Sequence, residues 1–295
     1  MAWTTSDRVM TLRERSHAFD VFAEMMDGWR RHLSGRNASV LAFFSFLSIF
    51  PLMLAAVTIL GFVLDDDPEL RDRILDSAAS QIPVLGNDLR ENPDSIDGSI
   101  WALVIGLGAA LWSSTKAFVG LQGALDDTWE IDVDDRAGLP AQRGRALLGL
   151  AVVGSALIAS IVIASIVNKA GFPAISNVAL VFATVVINIL VIATMYRFLT
   201  SATPSWGDVW PGAIIAGVIF TVLQTFGTRL VTRFAGASEA SNQSMQVIGV
   251  VIGLITWMSL VGITVIMCAE LNAARKRIQD GPRLEGANLD IAIRT

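Results

Sequence analysis

The run VLAFFSFLSIFPLMLAAVTILGFVL (Val40–Leu64) holds 25 residues without a single charge. A helix needs about 20 apolar residues to cross ~30 Å of hydrocarbon at ~1.5 Å per residue, so this stretch is long enough to span a bilayer. Working outward from it, five more runs dominated by apolar side chains follow at 100–122, 146–168, 176–199, 209–231 and 247–272. Segments of about ten alternating residues, the mark of a membrane barrel, are absent from the sequence. The predicted fold is all-α: a polytopic membrane protein, a bundle of six transmembrane helices with short amphipathic flanking helices.

Composition points the same way. Of 295 residues, 53% are hydrophobic and only 17% charged, where a soluble chain carries nearer a quarter. Mean hydropathy is +0.56. The predicted organisation is an amino-terminal segment 1–39, a six-helix domain 40–272 containing a loop at 65–99, and a basic tail 273–295. Residues 1–39 are charged throughout, and the first apolar run is too long and lacks a small-residue cleavage site, so no secretory signal is expected. The single cysteine, Cys268, lies in the sixth run, which excludes an intrachain disulfide and suggests no redox role.

Charge placement predicts orientation. Arg8, Arg13, Arg15, Arg30, Arg31 and Arg36 precede the first run, and Arg275, Lys276, Arg277, Arg283 and Arg294 follow the last. Arg136, Arg143 and Arg145 lie between the second and third runs. The alternate loops carry Arg71, Arg73 and Arg90 among ten acids, then Lys169 and Arg233. The bias of Lys and Arg toward the cytoplasmic side then places both termini in the cytoplasm, as an even number of spans requires.

Two flanking stretches look amphipathic. Phe19, Phe22, Met26, Trp29 and Leu33 recur at helical spacing beside Arg30 and Arg31. That pattern suits a helix lying in the membrane interface or one packed on the end of the bundle. In the 65–99 loop, Leu70, Ile74, Leu75 and Ala78 form a stripe that predicts a short helix over the outer mouth.

Polar side chains inside the runs are costly in hydrocarbon unless they bond to a neighbour or face water. In the fifth run, Thr221, Gln224, Thr225 and Thr228 fall on one stripe ending beside Arg229. Either the threonines bond to their own helix and Gln224 bridges to a neighbour, or the stripe lines a hydrated cavity. Asn188 sits near the middle of the fourth run, and Ser45 and Ser48 precede Pro51, where a kink is expected. Gly249 and Gly253, Ala213 and Gly217, and the Ala102, Gly106, Ala110 series are small-residue packing signals. Lys116 lies within reach of the cytoplasmic face and Glu270 near the inner end of the sixth run. They are expected either to approach each other at a shared polar mouth or to reach lipid headgroups independently. Phe118, Leu121, Leu125 and Trp129 continue the helical spacing past Lys116, so the second helix should run on beyond Trp112 and end near the acids at 126–135.

Several stretches resemble, in order, the YihY/BrkB family of inner-membrane proteins. These are NASVLAFFSFLSIFPLMLAAVTILG (37–61), the W-S-S, F, L-Q and A-L-D pattern within 112–131, WPGAIIAGVIF (210–220) and AELNAAR (269–275). The resemblance implies the six-span plan and the inner-membrane location. It also brings three activities with which members have been labelled: a tRNA-processing ribonuclease, a serum-resistance virulence factor, and movement of lipids or amphiphiles. The chain departs from the family's Tyr-Gly-Ser-type step before the sixth span, reading SNQSMQVIG (241–249), and has Cys268 where a glycine precedes A-E-L-N.

The residues bear on these activities unequally. Metal-dependent hydrolysis needs converging histidine and carboxylate ligands. Both histidines, His17 and His32, lie in the amino-terminal segment and in no ligand motif. The acids Asp126, Asp127, Glu130, Asp132, Asp134 and Asp135 cluster and could bind Mg²⁺ weakly, but such a run at a helix end is more often solvated and would repel RNA phosphates. With no phosphate-cradling Walker loop and no Ser/His/Asp set, no enzyme activity, metal, cofactor or nucleic-acid partner is predicted. The favoured reading is transport or translocation of a lipid, another anionic amphiphile or a small solute through a polar cavity between helices. Its pathway would include Ser45, Ser48, Pro51, Lys116, Asn188, Thr221, Gln224, Thr225, Thr228, Arg229 and Glu270. The alternative is a non-transporting scaffold or envelope-maintenance protein. Membrane lipids are the expected partners, with envelope proteins and homo-oligomerisation left open.

Overall fold

The computed structural model describes residues 7–64, 100–169, 173–236 and 243–281. Among the described residues the helices are, in chain order, α1 (Asp7–Arg15), α2 (His17–Arg31), α3 (Ser34–Leu64), α4 (Ile100–Thr128), α5 (Leu139–Lys169), α6 (Pro173–Phe198), α7 (Trp206–Gly236) and α8 (Gln243–Asp280). A single 3-10 turn, Val133–Asp135, separates α4 from α5, and no strand occurs among the described residues. Four of the helices contain a stretch long and apolar enough to cross a membrane: Leu139–Ser160, Val178–Phe198, Trp206–Gln224 and Ile248–Asp280. The helices α3 and α4, 31 and 29 residues long, follow the first two apolar runs. The helix predicted within 65–99 lies outside the described residues.

Helix ends follow local chemistry. The α2 N-cap is Ser16, whose hydroxyl accepts the Phe19 N–H at 3.4 Å. Leu33, at φ 52°, takes the left-handed conformation that breaks α2 from α3. Before α7, Ser205 and Asp208 cap each other: the Asp208 carboxylate accepts both the Ser205 N–H (3.0 Å) and its hydroxyl (2.6 Å). As the spacing predicts, α4 does not stop at Trp112; it runs on to Thr128 and ends beside the acids. Likewise α3 continues as helix through Pro51.

The chain divides into two compact units, residues 44–117 and the remainder. In the larger unit α7 packs between α6 and α8, α5 packs on α6, and α2 lies on α8. Its core joins Leu125, Tyr196, Leu199, Val209, Ala213 and Ala269. Tyr196, the sole tyrosine, is 1% exposed and donates its hydroxyl to the Val265 carbonyl at 2.5 Å, so its polar end is satisfied inside the apolar core.

The close approach of α7 to α8 explains two of the sequence stretches. A Cβ on Gly212 would strike the Cys268 backbone carbonyl and would lie 2.6 Å from Asn272 Nδ2. Asn272 in turn grips the α7 backbone: its Oδ1 accepts the Gly212 N–H at 2.7 Å and its Nδ2 donates to the Val209 carbonyl at 3.0 Å. Pro211, inside α7, has no N–H to offer its own helix. The W-P-G-A and A-E-L-N-A stretches are therefore the two halves of one contact.

Of the two expectations for the amino-terminal stretch, packing against the bundle describes α2, though by a face other than most of the predicted stripe. The face of α2 that packs inward carries Val21, Ala23, Met25 and Gly28, while Phe22 and Leu33 of the predicted stripe are 47% and 53% exposed. Only Trp29 of that stripe joins a core cluster, against Ala38, Ala124 and Ile266. The helix is thus seated by Val21, Ala23, Met25 and Gly28, with Trp29 beside them, and leaves Phe22 exposed.

Candidate functional site

Two polar constellations lie within the larger unit. The first is built where α2, α4 and α8 meet. Glu270 of α8 has no exposed surface. Its Oε1 accepts the Ser34 hydroxyl at 2.7 Å, lies 2.8 Å from His32 Nδ1 and 3.4 Å from the Thr128 hydroxyl. Its Oε2 faces Arg277 Nη2 at 3.8 Å, beyond hydrogen-bonding distance. A Cβ on Gly28 would lie 2.5 Å from that Oε2 and 2.8 Å from that Nη2, so glycine is what leaves room for the pair.

His32 bridges two acids, since its Nε2 lies 3.5 Å from Glu130 as its Nδ1 bonds Glu270. Burial alone would push the imidazole toward neutrality. The Glu130 and Glu270 carboxylates more than offset this and raise its pKa from 6.5 to about 9. Glu130 is held down to about 2 by His32, against burial, with help from Arg277 and Arg31. Arg277 also donates to Glu24 (3.1 Å) and to the Thr128 carbonyl (3.1 Å), and Glu24 is bonded by Arg13 and Arg31. Burial raises the Glu24 pKa, but Arg277, Arg31 and Arg13 together bring it below the usual carboxylate range. The cluster latches the amino-terminal helices to the far end of α8. Chemically it can hold or release a proton at His32.

The second constellation sits at mid-span between α6 and α7. Asn188 Nδ2 donates to both the Thr221 hydroxyl and Gln224 Oε1, each at 2.9 Å. Thr221 also bonds back to the Gly217 carbonyl at 2.8 Å, and Gln224 remains exposed although it bridges the two helices. Three of the predicted pathway residues are thereby brought together.

Ser48 bonds back to the Phe44 carbonyl at 2.7 Å, and Ser45 is half-buried on the same helix. Lys116 is exposed, with its ammonium 5.2 Å from the centre of the Trp112 ring. Lys116 belongs to the 44–117 unit and Glu270 to the larger one. The side chains of Pro51, Thr225, Thr228 and Arg229 lie outside the described residues.

The acidic run is not simply solvated. Asp126 is 4% exposed and accepts the Thr200 hydroxyl (2.8 Å) and the Ser201 N–H (2.6 Å), which ties α4 to the α6–α7 turn. Asp127 accepts from Arg136 (2.8 Å) and Asn37 (3.0 Å). Sequence reading passed over His32, Ser34, Thr128 and Arg277 as site residues. The available signal was Glu270 itself, since a carboxyl in an apolar run requires partners.

Long apolar helices packed side by side, with few and mutually bonded polar groups between them, define a multi-pass α-helical membrane protein. The sequence model of the family described as Virulence factor BrkB matches residues 25–289, and the chain belongs to that family. No curated protein and no solved structure matches it.

Proposed function

We propose that this protein crosses a bacterial inner membrane six times, with both termini in the cytoplasm, and moves a lipid or another anionic amphiphile along a polar track between its helices. The carboxamide of Gln224 carries this reading. A side chain that serves only to join two helices is best placed between them, whereas Gln224 bonds Asn188, in the middle of the Val178–Phe198 stretch, and is still exposed. In hydrocarbon a bare amide costs on the order of 2–7 kcal/mol without a partner, a cost that a passing headgroup relieves. Even span number has its own support. Arg277 near the end of α8 bonds Glu24 of α2, so the chain enters and leaves the bundle at one face. No catalytic step or cofactor is part of this reading, and its partners are membrane lipids.

Protein reconstituted in vesicles tests it, through the rate at which a fluorescent anionic phospholipid in the inner leaflet becomes accessible to an impermeant quencher. Acceleration over protein-free vesicles is expected. Gln224→Leu and Asn188→Leu should each slow it about fivefold, the equivalent of losing ~1 kcal/mol of hydrogen bonding. Absence of movement for every headgroup tried leaves the scaffold reading, in which the Asn188 cluster only joins α6 to α7.

A further inference from the structure

We propose that a cleft at the junction of α5 and α6 binds the phosphate-bearing headgroup of an anionic phospholipid. The cleft, about 440 Å³, is lined by Arg145 and Leu148 of α5, Arg197 and Phe198 of α6, and Thr200 and Thr203 of the turn that follows. Neither guanidinium forms an ion pair among the described residues. Arg145 Nη1 donates to the Ser201 hydroxyl at 3.0 Å, and Arg197 Nη1 to the Pro204 carbonyl at 2.6 Å. The Arg197 guanidinium also lies 4.9 Å from the centre of the Trp206 ring and 5.6 Å from that of Phe198. Each of these bonds uses one of the five N–H groups of its arginine and orients the fork. A guanidinium held in this way matches two oxygens of a phosphate.

Charge and surface chemistry select the ligand. Asp126, the acid behind the cleft, is buried, and its carboxylate accepts the Thr200 hydroxyl, the Ser201 N–H and, at 3.3 Å, the Ser201 hydroxyl. Two arginines against one buried, multiply bonded carboxylate leave the opening positive. Around it Leu148, Phe198 and Trp206 are 44%, 45% and 42% exposed; Phe198 and Trp206 stand at the ends of stretches apolar enough to span and Leu148 lies within one. A soluble phosphate has no use for that apolar rim, whereas acyl chains do. Basic pockets between spans, level with the headgroups, are suited to anionic lipids. Holding a headgroup here needs no transbilayer step, so the proposal extends beyond transport.

Native mass spectrometry of the full-length protein, purified from mixed micelles of phosphatidylglycerol and phosphatidylcholine, tests it. Phosphatidylglycerol should be retained in preference, and Arg145→Gln with Arg197→Gln should weaken its retention by at least roughly tenfold while leaving phosphatidylcholine unchanged. Leu148→Trp, which narrows the cleft and removes none of these bonds, should have the same effect and decides the matter if the double variant does not fold. Wild-type phosphatidylglycerol occupancy in the folded variants overturns the proposal. Inorganic phosphate bound at the cleft with no lipid preference overturns the lipid assignment in favour of a soluble anion. A protein that retains the lipid at this cleft but never moves it fails the transport reading alone.

Discussion

Glu270 places a carboxyl group with no exposed surface among His32, Ser34, Thr128 and Arg277, and Gly28 leaves the space in which it meets Arg277. Removing one member of such a group strands the others away from water. Glu270→Ala should therefore destabilise the protein by about 3 kcal/mol, read as a lowered unfolding midpoint in detergent, while Glu270→Gln should cost less. His32 makes the latch sensitive to pH. Its pKa is raised from 6.5 to about 9, so its contribution is complete below 6.5 and is lost as pH rises through about 9. Glu130, lowered from 4.5 to about 2, contributes above 4.5 and loses its contribution as pH falls through about 2. Both contribute in full between 4.5 and 6.5. Hydrogen exchange in α2, corrected for its intrinsic pH dependence, should rise between pH ~6 and pH ~10 in the wild type and stay flat in His32→Gln. Equal behaviour of the two proteins would remove His32 from the latch.

Between α7 and α8 the decisive feature is distance between backbones. The obstacle to a side chain at Gly212 is the Cys268 carbonyl, which belongs to a helix and cannot swing away as the tip of a side chain can. Gly212→Ala should thus cost about 2 kcal/mol by forcing the helices apart. Asn272→Leu should cost a similar amount by leaving its hold on Val209 and Gly212 unmade. Thermal unfolding measures both, and a neutral Gly212→Ala would mean that the helices stand farther apart. The Asn188 bridge is weaker. Interhelical side-chain bonds of this kind average ~0.6 kcal/mol, so Asn188→Leu should barely change stability even where it slows lipid movement. That contrast separates a functional role from a packing one.

For the whole molecule, the latch brings α2 and the end of α8 together, and the proposed topology puts both on the cytoplasmic side. A membrane-impermeant thiol reagent applied to intact cells should then spare Arg30→Cys and Gln279→Cys, both on exposed positions, and label Ser80→Cys. The native Cys268 is buried and should stay silent. Labelling at 30 and 279 with none at 80 reverses the orientation. Labelling at only one of 30 and 279 contradicts an even number of spans.

The length of the apolar runs, the continuation of α4 past Trp112 and the polar stripe that includes Thr221 and Gln224 are all written in local spacing. Helical period and hydrocarbon thickness act on consecutive residues, so sequence alone determines a helical membrane protein and marks where its spans carry polar groups. The partners of those groups are another matter. His32 and Glu270 are separated by 238 positions, and Asn272 reaches an α7 backbone 60 positions away. Local period does not record such meetings, because they depend on which helices lie side by side and how near glycine lets them come. The same holds for α2: its aromatic stripe predicts a buried or lipid-facing side, yet Val21, Ala23, Met25 and Gly28 are what fit against the bundle. Only tertiary packing decides which face is buried, since that depends on the shape and the charged partners that the end of α8 presents.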